Sequence, residues 1–257
     1  MNNSGIFALM PDDFTGMKPK VVVKEGDIVK VGDALFVDKN NPEVKFVSPI
    51  SGKIVAVVRG ERRKVLSVQV EASAEQQYVD FGKKNVASMD AKAVKDVLFE
   101  SGLFGFIKQR PYDVTANPAD TPKAIFVSAF NSMPLAADFE FVLKGREADF
   151  QTGLDALSRI AKTNLGVSTK QSAPALTAAK NVTVTFFSGA APAGNVGVQI
   201  NHVDPINKGE VVWTLGAEEV IFIGHLFNTG KLDFTRVIAL AGSEVKKPAY
   251  CKVTVGQ

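Results

Sequence analysis

Between residues 17 and 72 the apolar positions fall in short, β-branched runs separated by turn residues. The runs "KVVVK", "ALFV", "EVKFV", "KIVAVV" and "KVLSVQVEA" are predicted strands, because Val and Ile suit a pleated, half-buried surface and Gly, Asp, Asn and Pro punctuate the gaps. In the last run Leu66, Val68 and Val70 are expected on one face and Ser67, Gln69 and Glu71 on the other, the period of two of a strand with one buried side. Two turns repeat a Gly-Asp pair, "EGD" and "VGD". Gly26, Gly32, Gly52 and Gly60 are all placed at turns that need relaxed backbone, and Gly52 is assigned a positive φ. Short strands at this spacing predict a small sandwich or barrel.

The pattern changes after Glu71. "SAEQQYVDFGKKNVAS" is polar and reads as a connector. "MDAKAVKDVLFESGLFG" predicts a helix with Asp90 as N-cap, Val94, Val97 and Leu98 on one face and Gly102 as the stop. "READFQTGLDALSRIAKTN" predicts an amphipathic helix with Phe150, Leu154, Leu157 and Ala161 in one stripe. "GAEEVIFIGHLFNTG" predicts a mostly buried helix ended by Gly230. "TPKAIFVSAF", "KNVTVTFFSGA", "FTRVIALAG" and "AYCKVTVGQ" read as strands. Strands alternating with helices predict an α/β layer with a parallel sheet. The expected organisation is an N-terminal segment (1–16), an all-β domain (17–75), an α/β domain (76–240) and the start of a further region (241–257). "CKVTVGQ" keeps strand character to the last residue, which reads as a piece of a longer polypeptide, with an ordinary terminal strand as the alternative.

Composition narrows the function classes. The 257 residues are 46% hydrophobic and 22% charged, an ordinary globular mixture. With 30 basic and 27 acidic residues the net charge is +3, too balanced to argue for nucleic acid. The one basic knot is "RGERRK", with Arg59, Arg62, Arg63 and Lys64; it reads as a solvated turn, with an anionic contact as the alternative. A single cysteine, Cys251, excludes a disulfide framework and a cysteine-held metal or cluster, and fits a reducing compartment. The start "MNNSGIFALMPDDF" lacks the pattern of a signal peptide, and no apolar run approaches the ~20 residues of a membrane helix.

Candidate chemistry is sparse. Lys39, in the tip "DKNNP", has the look of a lipoyl or biotinyl attachment lysine, but Pro42 reshapes the tip and no "MKM" is present; it reads as an unmodified surface lysine. "SGLFGFIKQR" carries Gly102, Gly105 and Arg110, and "SGAAPAGNVG" carries Gly189, Gly194 and Gly197. Glycine loops cradle phosphate through bare N–H groups, yet neither stretch fits a nucleotide-binding fingerprint, so tight turns are the competing reading. His202 and His225 have no metal-ligand spacing, and no metal is assigned. No G-x-S-x-G nucleophile elbow occurs, and no catalytic residue is assigned.

Long stretches of the chain resemble a known family. "FTGMKPKVVVKEGDIVKVGDALFVDKNNPEVKFVSPISGKIVAVVRGERRKVLSVQV", "ESGLFGFIKQRPYDVTANPADTPKAIFVSAFNSMPLAAD" and "PAGNVGVQINHVDPINKGEVVW" are similar to the A subunit of sodium-translocating NADH:quinone reductases. That family resembles the C subunit of Rnf complexes and, more distantly, the flavin-binding subunit of respiratory complex I. The resemblance implies a biotinyl-like barrel-sandwich hybrid domain followed by an α/β domain of the complex I flavin type, then a β-grasp-like region truncated here. It implies a peripheral subunit on the cytoplasmic side of the bacterial inner membrane. Its expected partners are membrane subunits of a complex that passes electrons from NADH to quinone and exports sodium. The complex is the enzyme; this chain is expected not to be catalytic alone.

Flavin-binding relatives carry a G-x-G-G-x-G-F-P loop, whereas the matching place here is "SGLFGFIKQRP". Leu103, Phe104 and Phe106 stand where backbone must meet phosphate, so the flavin mononucleotide (FMN) site is expected to be degenerate and the chain free of cofactors. Quinone in the complex is compatible with the family. The alternatives are a flavin- or quinone-binding redox protein in its own right, and a biotin- or lipoyl-type carrier.

Overall fold

The computed structural model describes residues 5–257; residues 1–4 of the expected N-terminal segment lie outside the described part. The first seven strands are β1 (Ile6–Leu9), β2 (Pro19–Val21), β3 (Ile28–Val29), β4 (Ala34–Asp38), β5 (Lys45–Val47), β6 (Gly52–Arg59) and β7 (Val65–Ala72). They form two sheets, ordered β1-β7-β6-β3 and β2-β4-β5. Phe7, Leu35, Phe36, Phe46, Ile54, Val68 and Val70 are buried in the core they share. Within the expected N-terminal segment, Ile6–Leu9 form β1, which pairs antiparallel with β7. The twin turns are built alike. Gly26 and Gly32 take φ of +93° and +99°, Asp27 accepts a hydrogen bond from Lys24 N (2.9 Å), and Asp33 accepts one from Lys30 N (2.7 Å).

Three sequence expectations in this region are corrected. Gly52 does not adopt positive φ; it opens β6, and a Cβ there would run into the Glu71 carbonyl of β7. Gly60 is extended (φ −95°), and the left-handed residues of its turn are Arg62 and Arg63. Leu66 is exposed and Ser67 buried, because the β6–β7 register shifts between Val58 and Arg59 and re-aims the strand end.

The second unit opens with α1 (Ala91–Ser101), capped as expected by the Asp90 carboxylate, which accepts from Ala93 N, and ended by Gly102 at φ +76°. The following elements are β8 (Lys108–Arg110), β9 (Val114–Thr115), β10 (Ile125–Ser128), α2 (Phe139–Leu143), α3 (Glu147–Ile160), β11 (Thr163–Ser168), the single turn α4 (Pro174–Thr177), β12 (Thr183–Phe187), α5 (Val196–Val203), β13 (Val212–Gly216) and α6 (Ala217–Thr229). One sheet runs β12-β11-β10-β13-β8-β9, with its first four strands parallel and β8 and β9 antiparallel at the edge. Helices α3 and α6 touch through glycines. A Cβ on Gly153 would strike the Val220 carbonyl, and one on Gly224 the Asp149 carbonyl. The last strands, β14 (Thr235–Leu240) and β15 (Ala249–Thr254), make their own hairpin and do not join the parallel sheet. Their pairing joins residues 235–240 to residues 249–254 and so bridges the expected boundary after residue 240.

The barrel and the α/β unit share one hydrophobic core. Phe14 lies 4.4 Å from Phe46 and 5.9 Å from Phe106, and Phe106 lies 6.0 Å from Phe234, centroid to centroid. These rings fasten the barrel to the sheet with the geometry of favourable aromatic pairs.

Candidate functional site

The parallel strands stand in the order third, second, first, fourth along the chain: β12, β11, β10, β13. The chain therefore leaves β10 in one direction and returns to its other side at β13. A crevice opens beyond the carboxyl ends of strands at such a reversal, and open α/β sheets bind ligands there. Here the crevice is a cleft of about 1570 Å³. The segment after β10, the start of α5 and the start of α6 all line it.

One corner of the cleft favours anions. Gly194 N donates to Ser132 Oγ (2.8 Å), which fixes the approach to α5. The α5 N-terminus has no side-chain cap. Arg110 Nη1 lies 3.8 Å from where a Cβ on Gly197 would stand, and the Arg110 Nε sits 3.3 Å from Asp113 as a charge contact. The fold thus brings Arg110, Gly194 and Gly197 together from distant parts of the chain. The opposite wall is acidic. Glu218 and Glu219 occupy the first turn of α6, where the helix dipole favours negative charge, and Arg236 pairs with both. Burial pushes the Glu218 carboxyl above its ordinary value, against the pull of Arg236 and of the Val237 N–H; the neighbouring Glu219 charge adds to the rise. Between the two walls Phe106, Phe130 and Leu215 supply apolar surface.

The first glycine loop is used differently. A Cβ on Gly102 would lie 2.6 Å from Val47 Cγ1, and one on Gly105 2.8 Å from Phe46 Cε1. Both glycines let the barrel approach. Leu103 and Phe104 are buried. The loop N–H groups turn inward: Leu103 N donates to Ser101 Oγ, Gly105 N to Gly102 O and Ile107 N to Phe104 O. These residues do not fit a flavin phosphate, which needs unengaged N–H groups and open space. Gly105 touches the cleft edge, whereas Gly102 does not.

The remaining candidates lie elsewhere. Lys39 is exposed, but its N–H is held by Lys18 O (2.7 Å). The Asp38 carboxylate organises that tip by accepting from Lys18 N, Asn40 N and Asn41 Nδ2. His225 Nδ1 meets Asp149 Oδ2 at 3.0 Å between α6 and α3, and His202 Nδ1 meets the Val198 carbonyl at 2.8 Å. Among the described residues no group of three or more His, Cys, Asp or Glu is placed to hold a metal ion. Ser132, Phe130, Glu218, Glu219 and Arg236 escape sequence reasoning. Phe130 and Ser132 follow β10, and Glu218 and Glu219 follow β13, a signal that has meaning only once the strand order is known, whereas Arg236 comes from the separate β14–β15 hairpin.

Comparison with known proteins matches both units. Residues 1–73 fit the family model of the NqrA N-terminal barrel-sandwich hybrid domain, and residues 89–232 that of the NqrA second alpha/beta domain. The chain is 40% identical over 255 residues to the A subunit of the Na(+)-translocating NADH-quinone reductase of Actinobacillus pleuropneumoniae serotype 5b (strain L20), covering 97% of this chain and 57% of that protein. It is 39% identical over 251 residues to the corresponding protein of Pseudomonas aeruginosa (strain UCBPP-PA14), covering 97% of this chain and 56% of that protein. With that of Yersinia pseudotuberculosis serotype O:1b (strain IP 31758) the identity is 38% over 253 residues, covering 97% of this chain and 56% of that protein. The chain therefore spans little more than half the length of these curated relatives.

Proposed function

The chain belongs to the NqrA family, and from that premise we propose that it serves as a cofactor-free, peripheral subunit of a sodium-pumping NADH:quinone reductase. It sits on the cytoplasmic side of the bacterial inner membrane, docks on membrane subunits and shapes access to quinone. Electron transfer from NADH and sodium export belong to the complex as a whole. The observation that carries the cofactor-free role is the Gly102–Ile107 loop, whose glycines and N–H groups serve barrel packing and local turns. In addition, no helix of the described residues is long and apolar enough to cross a membrane, which suits a docked subunit. Cross-linking mass spectrometry on the intact complex tests the reading. Cross-links from the barrel or the α/β unit to membrane subunits are expected; their absence alongside abundant links among the other subunits would overturn it.

The cleft supports a second reading, in which this chain itself binds quinone or flavin. Its placement at the switch point, its apolar floor and the Arg110–Gly197 corner favour that alternative. Photolabelling with an azido-quinone discriminates: labelling of Phe106, Phe130 or Leu215 that excess quinone suppresses would favour it. The carrier reading has less support, because Asp38 and Lys18 pin the Lys39 tip. Intact mass from the native host would reveal any lipoyl or biotinyl increment.

A further inference from the structure

The turn between β6 and β7 is unusual in its backbone and in what it displays. Arg62 and Arg63 both lie in the left-handed region, at φ of +52° and +61°. A non-glycine residue there costs about 1–2 kcal/mol, and turns normally place Gly or Asn at such positions. The turn has a glycine, Gly60, but Gly60 is extended and does not relieve the strain. The backbone is braced locally: Gly60 N donates to Lys64 O (2.8 Å), Lys64 N to Glu61 O (3.1 Å) and Arg59 Nη1 to Arg63 O (3.3 Å). Lys64 is engaged with Asp12 at 2.6 Å. The guanidinium groups of Arg62 and Arg63 are exposed, and among the described residues neither has a hydrogen-bond or ion-pair partner. Two consecutive strained residues thus hold two free cations at the apex of a hairpin. Beside them stands one exposed apolar side chain, Leu66 (38%), which covers Gly60.

We propose that this turn is a docking finger for an anionic lipid surface, with Arg62 and Arg63 reading phosphate headgroups. A carboxylate cluster on a protein is the rival partner, and the geometry argues against it. A protein carboxylate cluster would hold each guanidinium in one bidentate pose, and among the described residues no neighbour orients either of these exposed groups toward one. A charged membrane needs only proximity, and each basic residue adds to the attraction without a defined pose. The aliphatic stems of both arginines, with Leu66, suit the boundary between headgroups and acyl chains. The turn carries four basic residues and one acidic residue, Glu61, between positions 59 and 64.

The docking finger stands independently of the role in the complex proposed above, and its vesicle test needs only the chain and lipid. The 257-residue chain is sedimented with vesicles of phosphatidylcholine containing about one-third phosphatidylglycerol, and with phosphatidylcholine alone. Binding to the anionic vesicles alone, weakened by salt, is expected. The double variant Arg62→Gly/Arg63→Gly keeps the turn, because glycine accepts the left-handed backbone, and should lower partitioning about tenfold or more. Arg62→Lys/Arg63→Lys should stay within about threefold of the parent, because diffuse charge is retained. Lys246→Ser/Lys247→Ser removes the same charge from the exposed β14–β15 loop and should change partitioning less than about twofold. No binding to anionic vesicles, an unchanged glycine variant, or an equal loss in the loop control would each overturn the proposal. A glycine variant that binds vesicles normally but no longer co-purifies with membrane subunits would assign the finger to a protein partner instead.

Discussion

The two glycine loops of the α/β unit look alike in sequence and are built for opposite purposes. In "SGLFGF" both glycines face the barrel, and the N–H groups close on their own chain. In "PAGNVG" Gly194 fits against the segment after β10, while Gly197 lies in the first turn of α5 beside Arg110, with open space around it. A glycine is therefore informative only through what stands opposite its missing Cβ. The first loop faces a second domain, and the second faces a cleft.

Substitutions should reproduce that gradient. Gly102→Ala combines a left-handed backbone with a Cβ in contact with Val47, so a loss of about 2–4 kcal/mol is expected in chemical denaturation. A loss below about 1 kcal/mol would mean that the barrel does not lean on this loop. Gly194→Ala meets Ser132 N, but at a more exposed loop that can shift, and should cost about 1–2 kcal/mol. Gly197→Ala adds a methyl with only Arg110 Nη1 nearby and should stay within about 0.5 kcal/mol of the parent. If Gly197→Ala proved as damaging as Gly102→Ala, the contrast between the loops would collapse.

A small, pH-dependent effect is expected on the acidic wall. Burial raises the Glu218 carboxyl above its ordinary value. Its stabilising contribution is therefore present below the ordinary glutamate value and is lost as pH rises through the raised one. Glu218→Gln should match the parent in thermal melts near pH 4 and exceed it slightly, by under about 1 kcal/mol, near neutral pH. A variant less stable than the parent at neutral pH would mean that the Arg236 pairing outweighs the burial.

Much of the fold is legible in the sequence because its signals are local. Asp90, Gly102 and Gly230 mark helix ends through their own hydrogen bonds and left-handed φ. The twin Gly-Asp turns close on neighbours three residues away. Signals that depend on distant partners mislead or stay silent. Gly52 reads locally as a turn residue, but its requirement comes from the Glu71 carbonyl across the sheet. Leu66 reads as an inward residue because alternation cannot register a shift in pairing. Strand β11 merges with the tail of the preceding helix, and α5 shows in the sequence only as a glycine loop. The cleft is invisible for the same reason. Arg110 and Gly197 each stand out, yet only the strand order places them side by side.

The proposed cofactor-free role rests on the first glycine loop, whose glycines pack against the barrel and whose Gly105 and Ile107 N–H groups bond within the loop. The purified chain can be mixed with excess FMN, passed through gel filtration and read by absorbance and fluorescence in the protein peak. No stoichiometric FMN is expected, for the parent and for Gly105→Ala alike. One FMN retained per chain, and lost in Gly105→Ala, would contradict this view of the loop.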